Sequence, residues 1–567
     1  MQKVHLPPCQ KACPAGTNIS KYIRLILEGD LYEAWKVNRA ANVFPSVCGR
    51  VCVHYCETDC KRKDLKSKVG PEVSTKAVSI RGLKRFITDN VPPDYAKRFL
   101  DEILPIKKNN KKVAVIGAGP AGLAAANDLI LSGCEVEVFE ALPDPGGMLR
   151  VGIPSYRLPT DVLMEEIDLL KKLGIKIRLN CAIGRDVTLE GLRKDFDAVF
   201  VASGAHKAML MEIEGEQLEG IFSGIDFLRK LVLGEDMDVK GKAVAVVGGG
   251  FTAADAARCA LRHGAKPYVL YRRGREEMPM DEEEKEALDK ENIPVHYLTA
   301  PVEVISNDGK KAAKLRCVKM ELKEVAAGGS QTDRRRRPVP IPNSEFEIEA
   351  DIVIPAIAQK TDHSIFPDDF KFNTDDFSTS MEGVFVGGDF LYSATTDVIK
   401  VIGQAHEASI RILRFLGQKP KSPDIPQKKS RSCSPWCLED TQKLSREKVY
   451  GGWLEPSMEA YEETEEGTSR ELADYESSRC LQCDFYIVLK NDVTCHRCEN
   501  CVMSCPQGAL KMEREDVSPD HPDAWFNKGH WQTDESAKVQ IDPEICIQCG
   551  ACVQVCPNKC ISFAYRE

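Results

Sequence analysis

Two cysteine runs near the C-terminus, Cys495-x2-Cys498-x2-Cys501-x3-Cys505-Pro506 and Cys546-x2-Cys549-x2-Cys552-x3-Cys556-Pro557, constrain this chain more than any other stretch of it. Thiolates at this repeat hold two 4Fe-4S clusters in a bacterial-type ferredoxin. There the first three cysteines of a run bind one cluster and the fourth crosses to the other. One cluster is then expected to take Cys495, Cys498, Cys501 and Cys556, and the second Cys546, Cys549, Cys552 and Cys505. A pair of structural zinc sites is the alternative, since zinc also uses C-x2-C pairs, but zinc has no use for the repeated fourth Cys-Pro. Clusters pass single electrons, so the rest of the chain should contain their source.

At 567 residues the chain exceeds one core, which predicts several domains. Its 23 cysteines cluster at two- and three-residue gaps, a pattern that favours reduced thiolates for metal over a secreted disulfide framework. No run of 18 or more apolar residues occurs, and the opening segment from Met1 to Cys9 lacks an apolar signal region. The expectation is a cytoplasmic protein without membrane insertion. A net charge of -9 argues against a nucleic-acid partner. Arg334-Arg335-Arg336-Arg337, set before Pro338, reads as a solvated loop tip and is assigned no function.

After the polar hinge 107–112, an apolar strand, Val113 to Ile116, runs into Gly117-Ala118-Gly119-Pro120-Ala121-Gly122 and an Ala-rich helix. Glycines there permit a tight turn and let N-H groups at the helix start approach a pyrophosphate, where the helix dipole favours negative charge. The next strand, Glu135 to Phe139, delivers Glu140 where an acid meets ribose hydroxyls. The pattern recurs: Val244 to Val247 is followed by Gly248-Gly249-Gly250-Phe251-Thr252-Ala253, with Ala253 in place of the third glycine. Its second strand ends in Tyr271-Arg272-Arg273, and two guanidinium groups in place of the acid favour the 2'-phosphate of NADP; a pair of surface arginines is the bland alternative. Two such folds suggest a flavin in one and a nicotinamide in the other. The buried run Gly383 to Asp389, ending in Gly388-Asp389 and followed by a helix, is expected to close the first fold after the second has been inserted into it.

From Cys9 to about residue 418 the sequence resembles the glutamate synthase small (beta) subunit family, which includes the electron-input half of dihydropyrimidine dehydrogenase. The matching motifs are Pro145 to Pro154 with Arg157-Leu158-Pro159, Ala202-Ser203-Gly204, Gly248 to Ala253, Tyr271-Arg272-Arg273, Met278-Pro279 and Gly387-Gly388-Asp389. The resemblance implies FAD contacts at Gly117 to Gly122, Glu140, Gly147, Leu149, Ala202, Ser203, Gly204 and Asp389. One departure is Ala358, where the family usually has glycine, which could narrow the space near the flavin or nicotinamide.

The first 60 residues add Cys9-x3-Cys13-Pro14 and Cys48-x3-Cys52-x3-Cys56-x3-Cys60. In the resembling family two 4Fe-4S clusters sit here, with leading ligands from an Arg-Cys-x2-Cys element just before the segment matched by Cys9. Here such an element, Arg479-Cys480-Leu481-Gln482-Cys483, stands far downstream. The expectation is that it returns to the N-terminal domain, so that Cys480 and Cys483 join Cys9 and Cys60 around one cluster. A separate small zinc or redox pair is the alternative. Cys13, Cys52 and Cys56 would hold the other cluster, with Cys48 the candidate fourth ligand, because Lys84 stands where the family uses Glu or Gln. Cys134, Cys181, Cys259 and Cys317 read as core residues, and Cys433, Cys437 and Cys560 are assigned no role.

The expected fold is multidomain α/β. A helical 4Fe-4S domain covers 1–108; a discontinuous FAD domain covers 109–235 and 356–418; an inserted NADPH domain covers 236–355. A returning linker covers 419–485 and an α+β ferredoxin domain 486–567. NADP(H) moves a hydride, flavin takes two electrons and releases them singly, and four clusters carry one each. The expected function is therefore electron transfer between NADP(H), FAD and clusters, to or from a partner enzyme or soluble ferredoxin, as one subunit of a larger redox complex. Alternatives are the glutamate synthase small subunit proper, a non-catalytic wiring module, and a disulfide reductase. The last needs a cysteine pair beside the flavin, and between Gly117 and Gly248 only the isolated Cys134 and Cys181 occur.

Overall fold

The computed structural model of the chain describes residues 6–64, 76–323, 336–392, 396–419, 463–464, 467–480, 485–489, 500–504, 510–514, 537–541, 552, 555–556 and 561–565. Cys483, Cys495, Cys498, Cys505, Cys546 and Cys549 lie outside the described residues, as do Cys433, Cys437, Cys560, Arg334 and Arg335.

Short helices open the chain: α1 (Pro8–Ala12), α2 (Ile19–Leu27), α3 (Leu31–Ala41), α4 (Pro45–Val51), α5 (Tyr55–Thr58), α6 (Ile80–Asn90) and α7 (Tyr95–Ile103). Asn18 and Asp30 cap α2 and α3, accepting from Lys21 N and Glu33 N, which satisfies N-H groups the helix itself cannot. Helices α4 and α6 cross so tightly that a Cβ on Gly49 would lie 2.9 Å from the Arg85 Cα. Only a residue with no side chain fits there.

A first parallel sheet begins with β1 (Lys112–Ile116), α8 (Pro120–Leu131), β2 (Glu135–Phe139), α9 (Met148–Val151), α10 (Thr160–Lys172), β3 (Lys176–Arg178), α11 (Leu189–Asp195) and β4 (Ala198–Val201). The chain then departs through β5 (Lys207–Ala208) and α12 (Gly224–Val232) into a second unit. That unit comprises β6 (Ala243–Val247), α13 (Phe251–Arg262), β7 (Lys266–Tyr271), α14 (Glu282–Lys290), β8 (Val295–Tyr297), β9 (Thr299–Ser306), β10 (Ala312–Lys323), β11 (Arg337–Pro340), β12 (Phe346–Glu349) and β13 (Ile352–Pro355). It returns by β14 (Gln359–Lys360), paired antiparallel with β5, and delivers β15 (Val384–Val386), α15 (Asp389–Tyr392) and α16 (Val398–Phe415). Strand β15 pairs parallel with β4, completing the order β15-β4-β1-β2-β3, so the first nucleotide fold is closed by chain that follows the second.

The second unit is three layers deep. Its parallel sheet, ordered β13-β6-β7-β8, alternates faces along β6: Val244 and Val246 pack with α12 and α13, while Ala245 and Val247 face the antiparallel strands. In that antiparallel layer β10 is central, pairing with β9, β11 and β12. Both faces of the parallel sheet are thereby covered, which is why its strands read as continuous apolar runs.

Beyond α16 the chain returns to the N-terminal helices. Helix α17 (Arg470–Ser478), capped by Ser469, packs on α2 and α6, and its Glu476 accepts from Ser79 N at 2.7 Å. Glu463 pairs with Arg50 at 2.8 Å and Arg85 at 2.9 Å, and Thr464 N donates to Tyr156 O at 3.0 Å. The last elements are β16 (Phe485–Leu489), α18 (Asn500–Ser504), β17 (Leu510–Arg514), β18 (Ala537–Ile541) and β19 (Ile561–Tyr565). They form two antiparallel ribbons, β16 with β19 and β17 with β18. The architecture is multidomain α/β, and among the described residues no helix is long and apolar enough to cross a membrane.

The helical domain is tied to the first sheet by buried charge. His406 on α16 places Nδ1 2.5 Å from Asp128 Oδ2 on α8 and Nε2 3.0 Å from the Ala41 carbonyl. Two acceptors on one ring require both nitrogens to carry protons. Burial alone would push His406 down, but the Asp128 charge and these hydrogen bonds hold it up at about 9. Because the folded pKa exceeds the unfolded value, the contribution is full below about pH 6.5 and is lost as pH rises through about 9. His406→Gln should therefore lower the thermal midpoint at pH 6, by the equivalent of up to about 3 kcal/mol. Thermal scans from pH 6 to 10 should show the wild type losing stability across that window and the variant lacking the step.

Candidate functional site

The first glycine loop lies at the C-terminal ends of β1, β4 and β15, the edge at which open α/β sheets bind ligands. Gly117, at φ 102°, would drive a Cβ to 2.5 Å from Ala202 O, so Ala202, Ser203 and Gly204 sit directly against the loop. Gly119 starts α8 with no side-chain cap, and its open face meets only Gly147, whose own Cβ would lie 2.8 Å from the Gly119 Cα. Gly388 closes the cradle from β15: a Cβ there would meet Ala121 at 2.8 Å. Leu149 is buried beneath, on α9.

Glu140 stands at the end of β2. Its carboxylate accepts from Ala118 N at 2.7 Å and Leu142 N at 2.9 Å, and burial pushes its pKa up against those hydrogen bonds. Asp389 accepts from the Thr396 N-H at 2.9 Å and its hydroxyl at 2.6 Å, and burial raises its pKa likewise. An uncapped helix start, glycine-lined space and a carboxylate at the ribose position fit a dinucleotide such as FAD.

The second loop repeats the geometry. Gly248 and Gly249 would put Cβ atoms 2.3 Å from Ala356 O and 2.5 Å from the Tyr271 ring, while Gly250 starts α13 uncapped. Phe251 and Thr252 follow in the first turn. Ala253 is fully buried where Gly122 stands in the first loop; there a Cβ would fall 2.0 Å from Gly117 O, whereas here an alanine fits. Arg272 is exposed at the end of β7, and Arg273 donates through Nε to the Arg336 carbonyl at 3.1 Å. These features fit NADP(H). Within the arginine run, Arg336 and Arg337 lie among the described residues, and Arg336 does more than meet solvent. Its guanidinium is ion-paired with Glu277 and Arg337 begins β11, because β10-β11 pairing folds the run back onto the nucleotide unit.

Spacing did not announce how the two nucleotide units are joined. Arg157, named from the sequence only within a motif, is held half-buried between Asp255 on α13 at 2.8 Å and Glu284 on α14 at 2.9 Å. Burial alone would lower its pKa, but the two carboxylates raise it. Tyr156 beside it carries Arg258 and Arg262 over its ring at 4.7 and 4.1 Å. Ala358 is exposed on the ribbon connecting the units, with its carbonyl accepting from Met209 N at 3.2 Å.

The N-terminal thiols form a third centre. Cys13, Cys48 and Cys52 are buried, Cys9, Cys56 and Cys60 half-buried, and none is in a disulfide. Cys48 and Cys52 share a hydrogen bond that holds Cys48 up and Cys52 down, and His54 N donates to Cys52 Sγ at 3.4 Å. Cys13, Cys48, Cys52 and Cys56 gather about Lys84, while Arg479 acts on Cys60 and the adjoining Cys480 packs into the same core. Among the described residues no three His, Cys, Asp or Glu converge on a single metal ion. An all-sulfur donor set, buried or half-buried, is of the type iron-sulfur chemistry uses. In the C-terminal segment Cys501, on α18, and Cys552 are buried and Cys556 is half-buried. Cys134, Cys181, Cys259 and Cys317 are core residues.

Gly122→Ala should be the most damaging one-carbon change in the first loop, since the new methyl group meets backbone oxygen at 2.0 Å and backbone cannot step aside. We expect a loss of at least about 2 kcal/mol and release of flavin on gel filtration, with Ala253→Gly leaving flavin content unchanged.

Residues 111–410 match the family model for pyridine nucleotide-disulphide oxidoreductases, residues 3–94 that for dihydropyrimidine dehydrogenase domain II with a 4Fe-4S cluster, and residues 494–560 that for a 4Fe-4S dicluster domain. The NADP(+)-dependent formate dehydrogenase subunit beta of Moorella thermoacetica is 37% identical over 84% of this chain and 70% of that protein. The NADPH-Fe(3+) oxidoreductase subunit beta of Geobacter sulfurreducens is 38% identical over 84% of this chain and 75% of that protein. The glutamate synthase [NADPH] small chain of Escherichia coli is 32% identical over 72% of this chain and 89% of that protein. With these relatives, the chain belongs to the pyridine nucleotide-disulphide oxidoreductase family, in its iron-sulfur branch, as an oxidoreductase of FAD, NADP and 4Fe-4S clusters.

Proposed function

We propose that this chain is the NADP(H)-handling subunit of a larger redox complex, converting two-electron chemistry at a nicotinamide into single electrons that leave through cysteine-bound iron. The observation that carries the reading is the contact between the thiol shell and the first nucleotide cradle. Helix α16 begins beside Asp389, whose carboxylate holds Thr396, and the next residue, Asp397, accepts from the Tyr55 hydroxyl at 2.6 Å, one position before Cys56. Further along α16, Gly403 abuts the backbone after Cys13: a Cβ there would lie 2.3 Å from Pro14 O. Electrons arriving at the Asp389 end of the cradle thus have two short protein routes toward thiols.

When bound, NADPH supplies a hydride, flavin accepts two electrons and releases them singly, and each cluster carries one. The chain's own residues bind and orient. Gly117 to Gly122, Gly147, Leu149, Ala202 to Gly204, Glu140, Gly388 and Asp389 hold FAD; Gly248 to Ala253 hold the NADP pyrophosphate, and Arg272 and Arg273 its 2'-phosphate. Arg157, clamped to Asp255 and Glu284, keeps the two cradles in register. Four clusters complete the path: Cys9, Cys60, Cys480 and Cys483 hold one, and Cys13, Cys48, Cys52 and Cys56 a second. The two C-terminal runs hold the others. Supporting the subunit role, two relatives are themselves named as beta subunits, and both cover more of this chain than the glutamate synthase small chain does. The partner is an enzyme or soluble ferredoxin that exchanges single electrons, and the setting is the cytoplasm.

Anaerobic NADPH should bleach the flavin and then reduce the clusters. Replacing Arg272 and Arg273 together by Gln should raise the NADPH requirement roughly 10- to 100-fold while leaving that for NADH unchanged. A flavin untouched by NADPH would make the chain a passive wiring module. The split site has its own test. Cys480→Ser should remove about one cluster's iron and sulfide and alter one N-terminal cluster signal, because α17, which packs on α2 and α6, ends two residues before this thiol, itself packed against the same core. Unchanged spectra would exclude Cys480 as a ligand.

A further inference from the structure

The crossing of α4 and α6 does more than pack two helices. Gly49 and Arg85 touch through backbone, which places their neighbours Cys48 and Lys84 together at the crossing. Both are buried, at 0% and 6% exposure. Several other buried cations nearby are matched by carboxylates: Arg50 by Asp89 and Glu463, Arg85 by the same two, Lys36 by Glu33 and Glu102, and Arg479 by Glu476. Lys84 is matched by no carboxylate among the described residues. The groups acting on it are the thiols of Cys48, Cys52, Cys13 and Cys56. An ammonium taken out of water costs several kcal/mol unless negative charge faces it, and among the described residues it is thiols, Cys48 at the crossing first, that stand beside this one.

We propose that Lys84 is a built-in countercharge for the cluster held by Cys13, Cys48, Cys52 and Cys56, and that it raises the reduction potential of that cluster. The inference rests on the reading that these thiols bind iron. Reduction adds one electron to the cluster, with no bond made or broken and no proton moved. A fixed positive charge beside it favours the more negative, reduced state, and net charge around a cluster is one of the levers that set its potential. Cys48 and Lys84 then act as a pair, one supplying a fourth thiolate and the other balancing its charge. The cluster becomes the readier acceptor for electrons leaving the Asp389 end of α16.

The test is an anaerobic redox titration of the intact chain followed by EPR, with iron and sulfide counted in each sample. Cys52→Ala identifies the signal of this cluster. Lys84→Leu, neutral and unable to ligate iron, should keep full iron and move that signal's midpoint to lower potential, whereas Lys84→Arg should stay near wild type. Loss of this cluster's iron in Lys84→Leu but not in Lys84→Arg would equally show that the charge is required. An unchanged midpoint in an iron-replete Lys84→Leu overturns the proposal, and so does equal iron loss in both variants, which would make the role one of packing. Wild-type protein with iron only in the C-terminal runs would instead overturn the underlying reading, and the proposal with it.

Discussion

Backbone brought against backbone where a Cβ is missing is the constraint on which this structure depends. Gly122 lets α8 begin within reach of Gly117, Gly147 lets the segment before α9 close over Gly119, and Gly403 lets α16 touch the loop after Cys13. Gly49 does the same between α4 and α6. Each approach shortens a distance that matters chemically, whether between a helix start and a phosphate or between a thiol and its countercharge. A methyl group at Gly122 or Gly403 would meet main-chain oxygen at 2.0 or 2.3 Å, which no rotamer change relieves.

What joins these tight units is mostly charge. Arg157 reaches from the first nucleotide unit to Asp255 and Glu284 of the second, His406 bridges α8 to the end of α3, and Glu463 pins the returning chain to Arg50 and Arg85. Such contacts are directional, so they set register between units more than they add bulk stability. For a relay of cofactors that is an apt division of labour. Electron transfer depends on held distance, and hydride transfer on the pose of one ring against another.

The sequence was legible where chemistry repeats at short spacing. Both glycine loops, the strands that feed them and Glu140 follow from local pattern, because a βαβ turn is built within about 30 residues. The insertion of one nucleotide unit into the other was legible too, since Val384 to Val386 is an apolar strand ending in Gly388-Asp389 with no sheet of its own nearby. The ion pair of Arg336, within the arginine run, was not legible, because its partner, Glu277, lies 59 residues away across a strand pairing that no periodicity reveals.

By itself, then, the amino-acid order determined the inventory: which thiols, which phosphate loops, and the presence of a downstream Cys480. Ligand type and loop chemistry are properties of residues a few positions apart. Only the tertiary structure decided neighbourhood. It set Lys84 among four sulfurs, Tyr55 against Asp397, and α17 on α2 and α6, joining residues as far apart as Ser79 and Glu476. Those juxtapositions come from helix crossings and buried ion pairs, whose geometry depends on the whole packed core and is written in no single stretch of chain.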